Sequence, residues 1–277
     1  MVCLVNDTPI YYKEFGQGKP ILHIHGWGPD HRMMVGAYEP IYEEKQDYRR
    51  IYLDLPGFGK TPLPPSMQNS DDMLDIVCGF VDNLIGKENF LLAGCSYGGY
   101  IAMGLLCKMG ERIDGVLLDV PDVSNIMHNL DSLPKRKMIW KSKLLDSQEV
   151  DHSLEGYLSM AVIATPEMLD KWKTQIQPGL DVRKLGRYSD LDFGYSKDME
   201  EAIKKATFDK PACILTGKQD HATGYTQAYH LLDRFSRATY VVLDGAGHLL
   251  YMEREAVFVQ MVLDWLCRVE LNLENKG

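Results

Sequence analysis

No stretch of about 18 or more consecutive apolar residues occurs in the chain, so no membrane-spanning helix is expected. The amino terminus, Met1-Val2-Cys3-Leu4-Val5-Asn6-Asp7, lacks a basic region followed by an apolar one, and no secretory signal is expected. Positive charge is in deficit: 30 Lys and Arg stand against 39 Asp and Glu, a net charge of −9. Nucleic-acid binding rests on neutralising phosphates, so nucleic acid is a poor partner here, and the surplus acid reads as a solubility device. The six cysteines (Cys3, Cys78, Cys95, Cys107, Cys213 and Cys267) are scattered and form no Cys-x-x-Cys pair. That argues against a disulfide framework and for small buried hydrophobes in a reducing, cytoplasmic setting. Internal repeats, low-complexity tracts and flexible linkers are also missing.

What is present is an alternation of strand-like and helix-like runs. Ile10–Phe15, Ile21–His25, Arg50–Asp54, Phe90–Gly94 and Gly115–Val120 are short, apolar and bounded by Gly, Pro or Asp, as strands are. Ser70–Ile85 opens on Asn-Ser-Asp-Asp, a helix cap and acidic first turn, and repeats apolar residues at helical spacing. A second helix is expected over Gly98–Met109, closed by Gly110 at the position after its end. From Pro121 to about Thr207 the strand signal stops. Thr165-Pro166-Glu167 there is a helix start, and Trp140, Tyr157, Met160, Ile163 and Trp172 supply apolar faces. The alternation resumes with strands Ala212–Thr216 and Thr239–Leu243 and helices Gly224–Phe235 and Glu253–Leu271. The reading is one α/β core, residues 1–121 and 208–277, interrupted by a helical insertion over 122–207, with a mostly parallel sheet covered on both faces.

The most specific chemical signal is Gly94-Cys95-Ser96-Tyr97-Gly98, between an apolar strand and a helix. This is the context of a nucleophile elbow, where a sharp turn projects a serine hydroxyl clear of the backbone. Bulk at Gly94 or Gly98 would collide with the crossing strand and helix. The following helix points its N-terminal N–H groups at the reacting centre. Two partners lie downstream in the order acid, then histidine. Asp220 follows the strand Ala212–Thr216, and His248 follows Thr239–Leu243. Both emerge at the C-terminal edge of a parallel sheet, as Ser96 does. Imidazole titrates near neutrality and can take a serine proton, while the acid holds its tautomer. Asp119 and Asp122 leave the same edge and remain rivals for the acid. Asp244 reads as a turn cap, and His221 as a pocket or surface residue.

The segment Ile24-His25-Gly26-Trp27-Gly28 ends another strand. Acyl transfer builds charge on a carbonyl oxygen, and the backbone N–H groups of Trp27 and Tyr97 are the expected donors to it. His25 reads as a hydrogen-bonded structural residue. His23 and His25 lack a third ligand nearby, so no metal site is expected. Gly59-Lys60-Thr61 imitates the end of a phosphate-binding loop, but Asp54 stands where that loop needs its first glycine, and nucleotide binding is rejected.

Taken together, Ser96, Asp220, His248, the His25-Gly26-Trp27 turn and the Asp54–Thr61 segment resemble the α/β-hydrolase superfamily from Ile10 to about Val269. The resemblance implies an eight-stranded, mostly parallel sheet with an antiparallel second strand. It also implies a structural turn at Asp54–Gly59 and a helical lid over 122–207. Relatives that open epoxides or displace halides carry Asp at the elbow, and hydroxynitrile lyases place Lys beside the histidine. Here the elbow holds Ser96, and Gly247 and Leu249 flank His248. Trp27, Tyr97, Leu249, Trp140, Tyr157, Met160 and Trp172 are candidates for an apolar cavity, and Arg183, Lys184 and Arg187 for holding a substrate carboxylate.

The expected activity is hydrolysis of a small-to-medium ester or thioester without a cofactor. The alternatives are carbon–carbon hydrolysis of ring-cleavage-type diketo acids and a hydrolase-like ligand-binding receptor. The expected partner is a small molecule bearing an acyl group, and the one assembly left open is a homodimer.

Overall fold

A computed structural model describes residues 1–43, 45–123, 133–148, 150–183 and 194–275. Among these residues ten strands follow one another: β1 (Val2–Val5), β2 (Thr8–Phe15), β3 (Lys19–Ile24), β4 (Tyr48–Leu53), β5 (Phe90–Cys95), β6 (Ile113–Asp119), β7 (Trp140–Lys141), β8 (Ile163–Ala164), β9 (Ala212–Gly217) and β10 (Ala238–Leu243). Eight of them form one sheet in the order β1-β2-β4-β3-β5-β6-β9-β10. Strand β2 runs antiparallel to β1 and β4, and every other neighbouring pair is parallel. Strands β5, β6 and β9 are buried along their whole length, which is why they read as continuous apolar runs.

Helices α1 (His31–Tyr42), α2 (Ser70–Leu84) and α3 (Tyr97–Met109) cover the sheet together with a long C-terminal helix, Glu255–Glu274. One apolar cluster joins α2 and α3 to the sheet through Phe80, Ile101, Ile24 and Val116. The other joins α1 and the C-terminal helix through Tyr38, Tyr52, Leu117, Phe258 and Trp265. Between β6 and β9 the chain leaves the sheet. It forms β7, α4 (His152–Met160), β8, α5 (Pro166–Lys171), a π-helical turn over Trp172–Ile176, α6 (Gln177–Arg183) and α7 (Lys197–Lys205). Among the described residues no helix is long and apolar enough to cross a membrane.

Local signals account for much of this. Asn69 accepts the N–H of Asp72 and starts α2, and Thr165 accepts that of Met168 and starts α5 with Pro166 in its first turn. Elsewhere the structure corrects the reading. The eight-stranded sheet with an antiparallel second strand is as the resemblance implied, but strand β1 was not among the runs read from the residues. It is made by a two-residue hairpin in which Asn6 and Asp7 both take positive φ, 45° and 62°. Helix α1 was not expected either, since Pro40 lies inside it and its first turn has no acid. Gly110 does not make a left-handed cap: its φ is −54°, and the chain tightens into a 3₁₀ turn over Gly110–Arg112.

The helix expected over Gly224–Phe235 is one α-turn, Thr226–Tyr229, followed by a 3₁₀ turn, His230–Asp233, because Phe235 is drawn into a bridge with Phe208. The helix expected from Glu253 breaks at Arg254 (φ −130°), leaving a separate turn, Leu250–Glu253. The region without strand signal contains the short parallel pair of β7 and β8.

Trp265 is fully buried and its indole N–H donates to the carbonyl of Pro211 at 3.2 Å. Trp265→Ala is expected to cost about 3–5 kcal/mol of stability, read as a lower urea midpoint. A loss below about 1 kcal/mol would contradict this packing.

Candidate active site

The parallel strands β3, β5, β9 and β10 end at one edge of the sheet, and the loops leaving them meet there. Ser96 sits between β5 and α3 with φ 53° and ψ −119°, a conformation that costs a non-glycine residue about 1–3 kcal/mol. Its surroundings hold it there. The Ser96 N–H donates to the carbonyl of Asp119 at 3.0 Å, and the Ser96 carbonyl accepts the N–H groups of Gly99, Tyr100 and Asp122 at 2.8, 3.2 and 3.0 Å. The two flanking glycines are required by contact. A Cβ at Gly94 would lie 2.5 Å from the carbonyl oxygen of Gly98, and one at Gly98 would lie 2.1 Å from that of Ile24. The side chain of Ser96 is left partly exposed.

His248 and Asp220 reach the same place. The Ser96 hydroxyl lies 3.0 Å from His248 Nε2, and His248 Nδ1 lies 2.9 Å from Asp220 Oδ2. Asp220 is fully buried. Its Oδ1 accepts the N–H groups of Ala222 and Thr223, at 2.8 and 3.1 Å, and its Oδ2 also accepts the Thr223 hydroxyl at 2.9 Å. With its other acceptor sites filled, the carboxylate is oriented to receive the Nδ1–H of His248. That tautomer leaves Nε2 as an acceptor for the serine proton. Burial alone would push the Asp220 carboxyl up, but the His248 charge and the hydrogen bonds hold it below the ordinary carboxylate range. Burial lowers the His248 imidazole, and Asp220, with Asp119 and Asp122, more than reverses this, leaving it above its ordinary value.

The rival acids are placed differently. Asp119 is buried beside Cys95 in the β5–β6 register, one carboxyl oxygen has no hydrogen-bond partner, and burial pushes it up to about 7. Among the described contacts, His248 hydrogen-bonds Asp220 and not Asp119. Asp122 contributes its backbone N–H to the Ser96 turn. Asp244 accepts the Gln219 side chain at 2.8 Å, as a loop residue. His221 is partly exposed next to Asp220. His25 is structural: its Nδ1 lies 2.7 Å from the Gly26 carbonyl and its Nε2 accepts the Leu55 N–H at 3.0 Å. His23 stacks on Tyr52, and burial pushes it down to about 3. Asp30, His31 and Asp54 gather three ligand-type groups within 4.8 Å. Their lone pairs are engaged, Asp30 by Arg32 and Asp54 by the His31 ring and the N–H groups of His31 and Lys60. The cluster secures the turn after β4.

A cavity of about 270 Å³ opens from Ser96 and His248. It is walled by Trp27, Pro29, Met33, Met160, Trp172, Ile176, Leu180 and Leu249, with Gly26, Gly156 and Ser159. Trp27, Met160, Trp172 and Leu249 are therefore where the sequence put them. Three other candidates are not. Trp140 is 53% exposed on β7 and does not line the cavity. Tyr157 is fully buried behind the wall, packing on Trp172 and accepting the Thr165 N–H through its hydroxyl. The Tyr97 ring turns into the core against Trp27, with its hydroxyl 2.8 Å from that of Ser70. Lys184 and Arg187 lie outside the described residues, as does the side chain of Arg183. Pro29, Met33, Ile176 and Leu180 were missed, and no pattern local to them marks a cavity wall. Also missed is Glu253, a buried acid behind the His248 loop.

The Alpha/beta hydrolase family matches the chain over residues 21–261, and the chain belongs to that family. It is 24% identical over 259 residues to a pimeloyl-[acyl-carrier protein] methyl ester esterase of Legionella pneumophila (strain Paris), covering 93% of this chain and 99% of that one. An alpha/beta superfamily hydrolase from Oenococcus oeni PSU-1 superimposes with a TM-score of 0.86 at 29% identity, covering 98% of this chain and 99% of that one. A meta-cleavage product hydrolase from Pseudomonas fluorescens IP01 shares the fold at a TM-score of 0.68 and 22% identity, covering 96% and 97%.

The hydrogen-bond pattern makes a direct prediction. Followed by NMR, the His248 ring titrates above the usual imidazole value of about 6.5. Asp220→Asn brings it down, and Asp119→Asn brings it down less. Equal shifts from the two substitutions would contradict the contact between His248 and Asp220.

Proposed function

We propose that this chain is a serine hydrolase that cleaves a small-to-medium carboxylic ester or thioester through an acyl-enzyme on Ser96. The observation that carries the reading is the continuous hydrogen-bond chain from Ser96 Oγ through His248 to Asp220 at the mouth of an apolar cavity. His248 Nε2 takes the hydroxyl proton as Ser96 Oγ attacks the carbonyl carbon. The tetrahedral intermediate collapses when the imidazolium returns that proton to the leaving alcohol or thiol. Water deprotonated by the same imidazole then releases the acid and frees Ser96.

The developing oxyanion is assigned to the N–H groups of Tyr97 and Trp27. Tyr97 is the first residue of α3, at the positive end of its dipole. The backbone before Trp27 passes close to the nucleophile: a Cβ at Gly26 would lie only 3.1 Å from Ser96 Cβ and 3.7 Å from Ser96 Oγ. One such donor contributes roughly 2.7–4 kcal/mol to the transition state.

The wall of the cavity supports an uncharged acyl group. Among the described residues that line it, His248 is the one titratable side chain, and no Lys or Arg is present. Among the described lining residues a diketo-acid carboxylate would find no cation but a protonated His248, and an unpaired buried charge is costly. The segment 122–207 acts as a lid in this reading, since Gly156, Met160, Trp172, Ile176 and Leu180 roof the site.

A fluorophosphonate probe is expected to label Ser96 stoichiometrically, and p-nitrophenyl esters to show a burst of product. Ser96→Ala should abolish labelling and lower kcat by roughly 10⁴–10⁶-fold. Retained esterase activity in that variant would overturn the mechanism, and tight ligand binding with negligible turnover in the wild type would favour a receptor.

The pH dependence follows from His248, which must be neutral to accept the serine proton. Because its folded pKa is raised, kcat/KM should fall on the acid side with an apparent midpoint above that of free imidazole. An acid limb centred in the carboxylate range would point to a different base. In a panel of acyl-chain lengths, neutral acyl esters should exceed esters of dicarboxylic half-acids in kcat/KM. The reverse order, or faster cleavage of vinylogous diketones, would exclude the proposed substrate class.

A further inference from the structure

We propose that Glu253 is a positioning residue for His248, acting by fastening the loop that carries the imidazole to the wall of the cavity. This rests on the reading of Ser96 and His248 as nucleophile and base. Glu253 closes the turn after His248 and is only 7% exposed. Both of its carboxylate oxygens are engaged, and they reach in opposite directions. Oε2 accepts the N–H of Gly247, the residue before His248, at 2.6 Å. Oε1 accepts the N–H of Val162 at 2.5 Å and that of Ile163 at 3.2 Å. Val162 lies two residues beyond Met160, which lines the cavity, and Ile163 begins β8. Among the described residues Glu253 makes no salt bridge, so three backbone dipoles, and no side-chain cation, meet its charge.

The two fastened segments also touch directly. A Cβ at Gly247 would fall 2.7 Å from the Val162 side chain. Gly247 and Val162 thus leave no room for a side chain between the insertion and the His248 loop, and the carboxylate ties the two together. A buried carboxylate needs these partners, and the partners need it: without it the buried N–H groups of Gly247 and Val162 and the part-buried one of Ile163 lose their acceptor.

The consequence is chemical. In the proposed cycle His248 serves three groups in turn, the Ser96 hydroxyl, the leaving group and the hydrolytic water, and a displacement of about 1 Å can cost on the order of 100-fold in rate. Activated p-nitrophenoxide departs without help, whereas an alkoxide needs the imidazolium proton at the right place. A displaced imidazole is thus felt most by esters of poor leaving groups, a signature that loss of folded protein does not produce.

The test compares wild type, Glu253→Gln and Glu253→Asp, each normalised to the sites labelled by a fluorophosphonate. Glutamine keeps the shape but turns an NH₂ group toward one of the N–H donors. Aspartate keeps the charge but is too short to reach both segments. We expect Glu253→Gln to lower kcat per labelled site about 10- to 100-fold, with KM changed far less. The deficit should be larger for an ethyl ester than for the p-nitrophenyl ester of the same acid, and Glu253→Asp should fall between. If Glu253→Gln does not fold, the aspartate variant carries the same comparison. Unchanged kcat per labelled site and an unchanged leaving-group ratio would overturn the positioning role. Failure of the wild type to label at Ser96 would instead overturn the hydrolase reading on which it stands.

Discussion

The site depends on one strained residue. Ser96 holds a backbone conformation that an L-amino acid avoids, and it does so because four backbone hydrogen bonds from β6, α3 and the segment after β6 leave it no alternative. The strain propagates outward as sterics. The crossing of strand and helix permits no side chain at two neighbouring positions, and a third glycine lets the β3 loop approach the hydroxyl. The parallel sheet then does the rest. Because β5, β9 and β10 point the same way, the loops after them deliver a hydroxyl, a carboxylate and an imidazole to one edge without a long excursion by any of them.

The sheet and the three polar groups were legible in the sequence because each follows a short apolar strand closed by small or acidic residues. The expected strands all exist, within a few residues at their ends. Sequence patterns failed where docking decides the outcome. Trp140 and Trp172 both lie in the insertion and are equally apolar. One faces solvent from a two-residue strand and the other walls the cavity, and nothing local to either distinguishes them. Met33 lies in the first turn of α1 and Pro29 just before its cap, and that helix is hidden by Pro40 inside it. Strand β1 could have been found, since Asn6-Asp7 between apolar residues is a hairpin turn pair.

Choosing among the acids needed geometry as well. Asp119, Asp122 and Asp220 all leave the same edge of the sheet. Asp220 differs because the two N–H groups after it and the Thr223 hydroxyl aim its carboxylate at the imidazole. Asp119 instead stays buried against Cys95 with an oxygen unmet. The two carboxyls are driven apart in acidity by their surroundings, one toward the charged form and the other toward the neutral form near pH 7.

The π-helical turn at Trp172–Ile176 bears on how such a wall could diversify. A π-turn is one residue wider than the α-turn it replaces. Excising a single residue there would let the turn close to ordinary α-helical spacing, so the change would be absorbed locally. Leu180, beyond the turn, would keep its place on the cavity wall, while the span from Trp172 to Gln177, whose side chain accepts the indole N–H at 3.0 Å, would shorten by one residue. Chain length at this one point, independent of any substitution, would therefore reshape the wall at Trp172 and Ile176 while leaving Ser96, His248 and Asp220 untouched.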